Sequence, residues 1–388
     1  MPVKNRIGDL APEIAGWRQD FHRNPELLYE VHRTAGRVAD LLRSFGCDEV
    51  ATGVGRTGVV GIIRGRTDTR GRVIGLRADM DALPIHEATG APHASTVPGV
   101  MHACGHDGHT AMLLGAAKYL AETRAFDGTV ALIFQPAEEG GAGGRAMVED
   151  GLMDRWRIDE VYGMHNMPGI PVGSFAIRPG AIMAAADQFR VTLTGKGGHA
   201  AKPHDCIDTM VVAAQAIVAL QTIASRNVDP LKQVVVSVCT IESDSRAHNV
   251  IPQTVTLTGT VRTMDPDVQT FAERRVTEIV QGIAATFGAT ATVDYERGYP
   301  VTVNAPENTA FAAEVARAIA GRVDTDVAPM MGGEDFSFML NARPGAYIFV
   351  GNGDTAMVHH PAYDFDDAAI PYGASWYAGI AEARLPLT

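Results

Sequence analysis

The chain has 388 residues, 46% hydrophobic and 20% charged, with a formal net charge of −12. That length exceeds what a single core usually serves, so two domains are expected, and the composition is that of a soluble globular protein rather than a disordered one. An acidic balance without any basic, aromatic-laced patch excludes a nucleic-acid binder, because phosphate contacts need clustered Lys and Arg.

The opening Met1-Pro2-Val3-Lys4-Asn5-Arg6 has no apolar core of a signal peptide. The longest apolar run, Met210 to Leu220, is too short to span a bilayer and contains Gln215. The cysteines at 47, 104, 206 and 239 lack disulfide-scaffold spacing, so a reducing, cytoplasmic location is expected. Cys47, Cys206 and Cys239 read as packing residues.

Residues 8–46 read as two helices interrupted by His22-Arg23-Asn24-Pro25-Glu26, the second running from Tyr29 to Phe45 and ending at Gly46. Strands are expected at Gly58 to Ile63 and Arg72 to Leu76, the latter leading into Arg77-Ala78-Asp79-Met80-Asp81. Carboxylates at alternate positions where a strand ends point the same way, and strand ends are where α/β proteins place their sites. Asp107 to Glu122 has helical spacing. Thr129 to Phe134 is a β-branched, aromatic run suited to a buried strand and delivers Gln135-Pro136-Ala137-Glu138-Glu139. A helix (Gly144 to Glu149) and a short strand (Val161 to Gly163) then lead to His165. This alternation predicts an α/β fold, a mostly parallel sheet flanked by helices.

Near Ala186 the rhythm changes. A strand (Asp187 to Thr194), Gly197-Gly198-His199-Ala200, a helix (Asp205 to Ser225), strands (Gln233 to Ile241, Thr254 to Arg262), a helix (Val268 to Phe287) and a strand (Ala291 to Tyr295) follow. This β-α-β-β-α-β order predicts a ferredoxin-like α+β domain. The domains are therefore read as 1–185 with 298–388, discontinuous, and an inserted 186–297. After Pro300 come a helix (Glu307 to Gly321), the loop Gly332-Gly333-Glu334-Asp335-Phe336, a strand (Ala346 to Val350), His359-His360-Pro361 and a closing helix from Tyr372.

Within 102–109 fall three histidines, Cys104 and Asp107. A thiolate and an imidazole so spaced suit a soft or borderline divalent metal. An ordinary turn with surface histidines is the alternative. Adjacent Glu138 and Glu139 repel, and if the second ligates a metal the first can serve as a general base. His165 and one histidine of the 359–360 pair are read as following strands. With Cys104, His106 and Glu139 at strand ends or in the loops after them, these donors would converge on one rim of a parallel sheet, as two hydrolytic metals sharing a water require. Phosphate-loop, zincin and serine-elbow patterns are absent.

The order and spacing of these motifs, from His22-Arg23-Asn24-Pro25-Glu26 to His359-His360-Pro361, resemble the N-acyl-amino-acid amidohydrolases. That group includes hippurate and auxin-conjugate hydrolases, within the aminoacylase–carboxypeptidase metallohydrolases. Supporting strings are Arg77-Ala78-Asp79-Met80-Asp81, His102-Ala103-Cys104-Gly105-His106-Asp107, Gln135-Pro136-Ala137-Glu138-Glu139, Gly197-Gly198-His199-Ala200, His248-Asn249-Val250-Ile251-Pro252 and Gly332-Gly333-Glu334-Asp335-Phe336.

The resemblance implies that Cys104, His106, Glu139, His165 and His359 hold two divalent metals (zinc, manganese, cobalt or nickel), with Cys104 bridging. It implies that Glu138 is the catalytic base, that Asp81 orients a ligand, and that His199 binds the oxyanion from a neighbouring subunit. Asn249 and Arg262 would grip the substrate carboxylate, for which a guanidinium fork is suited. The inserted domain would act as lid and dimer interface. The implied activity is hydrolysis of N-acyl or N-aroyl amino acids by a metal-bridged water activated by Glu138. The rivals are an N-acetyl-diaminopimelate-type deacetylase, a small-peptide carboxypeptidase or dipeptidase, and an inactive metal- or ligand-binding homologue.

Overall fold

The computed structural model describes residues 3–387, so Met1 and Pro2 of the opening stretch, and Thr388, lie outside the described residues. The N-terminal helix Asn5–Arg23 turns Ile7, Leu10, Ile14, Trp17 and Phe21 inward, an apolar stripe at helical spacing. Helix His32–Phe45 does the same with Val38, Leu41 and Leu42. It stops at Gly46, whose φ of 83° suits a residue without Cβ, and the Gly46 N–H closes the last turn on Arg43 O.

The described chain divides into two compact units: one comprising residues 3–182, Val303–Ala328 and 335–387, the other Met183–Thr302 with Pro329–Glu334. The first is an α/β unit. Its sheet runs Glu49–Val54, Gly58–Arg64, Thr129–Gln135, Val73–Asp79, Glu160–Met167, Gly345–Gly351, Ser174–Ala176, Arg322–Asp324. The four central strands, Thr129–Gln135 to Gly345–Gly351, are mutually parallel. Antiparallel pairs lie on either side of them. The parallel strands are almost wholly buried, which explains their continuous apolar runs.

Three local expectations are corrected. Strand Glu49–Val54 was not foreseen, because it lies at the sheet edge, is largely exposed and carries little apolar signal. The strand expected at Val161 to Gly163 spans Glu160–Met167 and is buried throughout, so His165 lies on the strand and not after it. The polar His-Asn pair hid the continuation. His106 likewise opens helix His106–Thr123 instead of ending a loop.

The second unit is a four-stranded antiparallel sheet ordered Val234–Ser243, Thr254–Thr263, Ala185–Thr194, Thr290–Tyr299. Read from the other edge this is 4-1-3-2, the ferredoxin-like order, and helices Thr209–Leu220 and Pro266–Thr286 cover one face. Each helix starts at an aspartate cap: Asp208 accepts from Met210 N, and Asp265 from Asp267 N and Val268 N. The first therefore begins later than the expected Asp205, and Pro203–Asp205 is a separate turn. Contrary to the short-run reading, the helical stretch Thr209–Asn227 is long and apolar enough to cross a membrane by length and composition. Its inner face (Val212, Ala213, Ala216, Leu220, Ile223) is spent on this unit's core. Cys239 is exposed and so is not a packing residue; Cys47 does pack against the core of the first unit.

Candidate metal centre and catalytic site

Five donors predicted from separate stretches meet in the first unit. Cys104 Sγ lies 3.3 Å from His165 Nε2. His165 donates its other ring N–H, Nδ1, to Asn166 O at 2.6 Å, which aims Nε2 at the thiol. His359 Nε2 lies 3.3 Å from Glu139 Oε1, and His106 Nε2 lies 4.0 Å from the same oxygen. The donors form two groups that share the thiol, Cys104–His106–His165 and Cys104–Glu139–His359, and within each the ligand atoms lie within 4.8 Å of one another. Glu138 forms a further such group with His106 and Glu139. Of the histidine pair, His359 faces Glu139, whereas His360 Nδ1 accepts from Ala362 N at 3.0 Å within its own loop.

The loop that carries Cys104 and His106 turns sharply at Gly105. With φ at +88°, and Asn166 Nδ2 and Tyr363 OH each 2.3 Å from where a Cβ would stand, only glycine fits. Asn166 is the hub beneath it. Its Nδ2 donates to Cys104 O (2.7 Å), its Oδ1 accepts from Tyr363 OH (2.7 Å), and its backbone N donates to His109 Nε2 (2.9 Å). That last bond fixes the tautomer of His109, whose Nδ1 donates to Asp79 Oδ1 at 2.6 Å. His359 N donates to Ala103 O at 2.7 Å and so ties the two ligand loops together. His359 itself has φ +67°, a left-handed geometry rare for a residue with a side chain.

Asp81 sets the glutamate turn. Its oxygens accept from Glu138 N (3.0 Å) and Glu139 N (3.1 Å), and Oδ1 lies 3.3 Å from His106 Nδ1. Asp79 Oδ2 approaches the other face of the same imidazole, 3.7 Å from Nε2. The alternate strand-end carboxylates thus converge on one histidine. Farther down, buried Arg77 donates to Gln135 (2.9 Å), Asp79 (2.8 Å) and Asp335 (3.1 Å). Asp335 also accepts from Gly144 N (2.8 Å), locking the strand ends together.

The electrostatics ask for cations. Asp79, Asp81 and Glu138 are buried around Cys104 and His106, with Glu139 nearly so. Burial pushes the Cys104 thiol well above its usual range, and Glu139, Glu138 and Asp79 push further. Burial opposes the charge on His106, yet Asp79, Asp81 and Glu139 outweigh it and hold the imidazole at about 10. Both His106 ring nitrogens are buried without a hydrogen bond of good geometry among the described residues. A thiol, three imidazoles and a carboxylate, crowded by further negative charge and left short of hydrogen bonds, fit divalent metal ions. Such ions replace the ligand protons and invert these shifts.

The other expected site residues lie in the second unit. His199 belongs to a two-residue ribbon, Gly198–His199 against Val250–Ile251. Ala200 N donates to Asn249 O at 3.0 Å, so His199 and Asn249 share this exposed ribbon. Ala201 N donates to His199 Nδ1 (3.1 Å), which leaves Nε2 as the outward atom. Arg262 stands apart, in a hollow of about 450 Å³ on the open sheet face with Arg190, Cys239 and Glu296. Among the described residues no hydrogen bond or ion pair joins it to His199 or Asn249.

Asn166 and Tyr363 were missed by reasoning from the sequence. Their only signal was position, one beside His165 and the other in the loop after His359-His360-Pro361. Their partners are 62 and 197 residues away.

The sequence profile of Peptidase family M20/M25/M40 matches residues 75–383. A hippurate hydrolase from Campylobacter jejuni is 41% identical over 378 residues, covering 97% of either chain. An N-acetyl-L-cysteine deacetylase from Bacillus subtilis is 42% identical, over 98% of this chain and 89% of its own. Among solved structures, a dinuclear metal-binding M20-family peptidase from Bacillus subtilis superposes with a TM-score of 0.84 at 34% identity, over 97% of this chain and 99% of its own. With a profile match across most of its length, full-length relatives and this cluster of donors, the chain belongs to peptidase family M20/M25/M40 and is a metallohydrolase of amide C–N bonds.

Proposed function

We propose that this enzyme cleaves the amide of N-acyl or N-aroyl amino acids, releasing a carboxylic acid and a free amino acid. The observation that carries this reading is the pair of donor groups sharing Cys104, with Glu138 beside them. Hippurate and N-acetyl-L-cysteine, named in two relatives, are both N-acylated amino acids, which supports the substrate class.

Cys104, His106, Glu139, His165 and His359 would hold two divalent ions, Cys104 being common to both. Zinc, manganese, cobalt and nickel all suit such mixed donors. When bound, these ions supply Lewis acidity and bring the ionisation of water towards neutral pH. Glu138, its backbone pinned by Asp81, takes the proton of the attacking water and returns it to the leaving amine nitrogen. His199 Nε2–H would donate to the developing oxyanion, while Asn249 and Arg262 hold the amino acid's carboxylate.

The second unit, as lid and interface, would pair two copies of the chain so that His199 serves its partner's site. Met210, Val211 and Val218 expose apolar surface on helix Thr209–Leu220, and Val235 and Ile241 do so on the edge strand Val234–Ser243, as a covered face requires. Unpaired cysteines fit a reducing, cytoplasmic setting.

The test is Glu138→Gln, assayed on benzoylglycine and N-acetylcysteine with metal content measured in parallel. The expected outcome is two retained metals and a loss of turnover of about 10²–10⁴-fold. Unimpaired turnover by the variant would remove Glu138 from its role. Failure of the metal-loaded wild type on every N-acyl amino acid would favour the small-peptide carboxypeptidase or dipeptidase reading.

A further inference from the structure

Behind the metal loop of the first unit lies a charged cluster, buried at Arg18, His22 and Asp107 and opening outward at Asp364 and Asp367, that the reaction above does not use. It begins with His22, the leading residue of the His-Arg-Asn-Pro-Glu string at the end of the first helix, which is fully buried. His22 Nδ1 meets Asp107 Oδ2 at 2.8 Å, and Nε2 meets Glu87 Oε1 at 3.4 Å. Asp107 directly follows His106. We infer that His22, holding Asp107 from one ring nitrogen and Glu87 from the other, is a positioning residue that sets the 102–109 loop, and with it Cys104 and His106, for metal binding. The inference rests on the proposed ligand set.

The geometry leaves the loop few other holds on this side. Ala103 and Gly105 have no polar side chain, and neither ring nitrogen of buried His102 has a hydrogen-bond partner among the described residues. Asp107 is the charged anchor, and among the described residues it pairs with His22 and, at 3.6 Å, with Arg18. Arg18 also reaches Asp364 (3.5 Å) and Asp367 (2.8 Å), in the segment that follows His359. His93 Nε2 bonds Asp364 at 3.0 Å, and Ala88 N donates to Pro361 O at 2.8 Å. Both ligand-bearing loops therefore rest on one cluster, in which two cations, Arg18 and His22, face Asp107, Glu87, Asp364 and Asp367.

The charges facing His22 agree with this placement. Burial works against its imidazolium, but Asp107 and Glu87 outweigh that and hold it at about 9. The other rings against it do not compete. His93 meets it edge-on and bonds Asp364 instead, and the tilted His102 ring has its centroid 6.2 Å away. Removing one member of a buried, paired set strands the rest without a counter-charge, so a neutral side chain at 22 should loosen Asp107.

The experiment measures zinc affinity of metal-stripped full-length protein, by competition with a chromophoric chelator, for wild type, His22→Gln, Glu87→Gln and Cys104→Ser. Circular dichroism reports folding. His22→Gln is expected to weaken binding by about 10- to 100-fold, the range for residues that orient ligands from behind. The ratio of wild-type to variant affinity should narrow as pH rises through about 9, where wild-type His22 loses its charge. Taking the ratio cancels the deprotonation of the ligands themselves.

Unchanged affinity in a folded His22→Gln protein overturns the inference, and so does a ratio constant with pH, which marks a packing role. If that variant does not fold, Glu87→Gln decides: weaker zinc binding with the same pH trend supports the inference, and wild-type affinity overturns it. Wild-type protein that binds no zinc, or binds it equally without Cys104, overturns the ligand set instead.

Discussion

Asp81→Asn isolates what the carboxylate behind the glutamate turn does. Asp81 is 1% exposed and serves two backbone donors, Glu138 N at 3.0 Å and Glu139 N at 3.1 Å. Asparagine matches its shape but offers one acceptor oxygen and one NH₂ group. Either glutamate can keep its bond, and the other then faces a donor. A hydrogen bond to a charged acceptor contributes about 1.5–3 kcal/mol, and a stranded buried donor costs about 1–3 kcal/mol. At about 1.4 kcal/mol per tenfold, the turn that carries Glu138 and Glu139 should lose about 10- to 100-fold in kcat/KM or metal affinity. Steady-state kinetics on benzoylglycine, metal competition and thermal unfolding of the metal-free protein separate the outcomes. Wild-type kcat/KM together with wild-type metal affinity would refute the reasoning, because the two N–H bonds would then play no part in placing the glutamates.

Other expectations follow from the same geometry. Gly105→Ala forces a Cβ to 2.3 Å from Asn166 and Tyr363 at φ +88°, so urea unfolding should show a loss of about 2–4 kcal/mol; unchanged stability would contradict the tight turn. His359→Ala should lower bound metal and turnover, whereas His360→Ala, whose ring bonds within its own loop, should stay within about 0.5 kcal/mol of wild type in stability and keep both metals. Chelation should abolish activity and lower the unfolding midpoint. Metal restored at 100 times its Kd returns about 2.7 kcal/mol, and a midpoint indifferent to metal would count against binding to the folded state.

Much of the fold was legible in the linear pattern because burial writes itself into sequence. The strand Thr129–Gln135 is an unbroken apolar run because both its faces are covered, and Ala185–Thr194 alternates because one face packs on helices. The switch between these two patterns near Ala186 announces the change of architecture. What stayed hidden carried little hydrophobic signal. Glu49–Val54 is an exposed edge, and the end of Glu160–Met167 carries His and Asn inside the core.

For the site, residue type and order sufficed to nominate Cys104, His106, Glu139 and His165, because thiol, imidazole and paired carboxylates are scarce inside proteins and have few structural uses there. Choosing His359 over His360 by geometry needed three dimensions, since two adjacent side chains look equivalent in a string while one backbone angle sends them to different neighbours. The hub at Asn166, the Arg77–Asp335 lock and the His22–Asp107 contact are likewise products of folding alone. Hydrogen bonds and ion pairs act over about 3 Å whatever the sequence separation, so only the packed chain decides which polar residues meet.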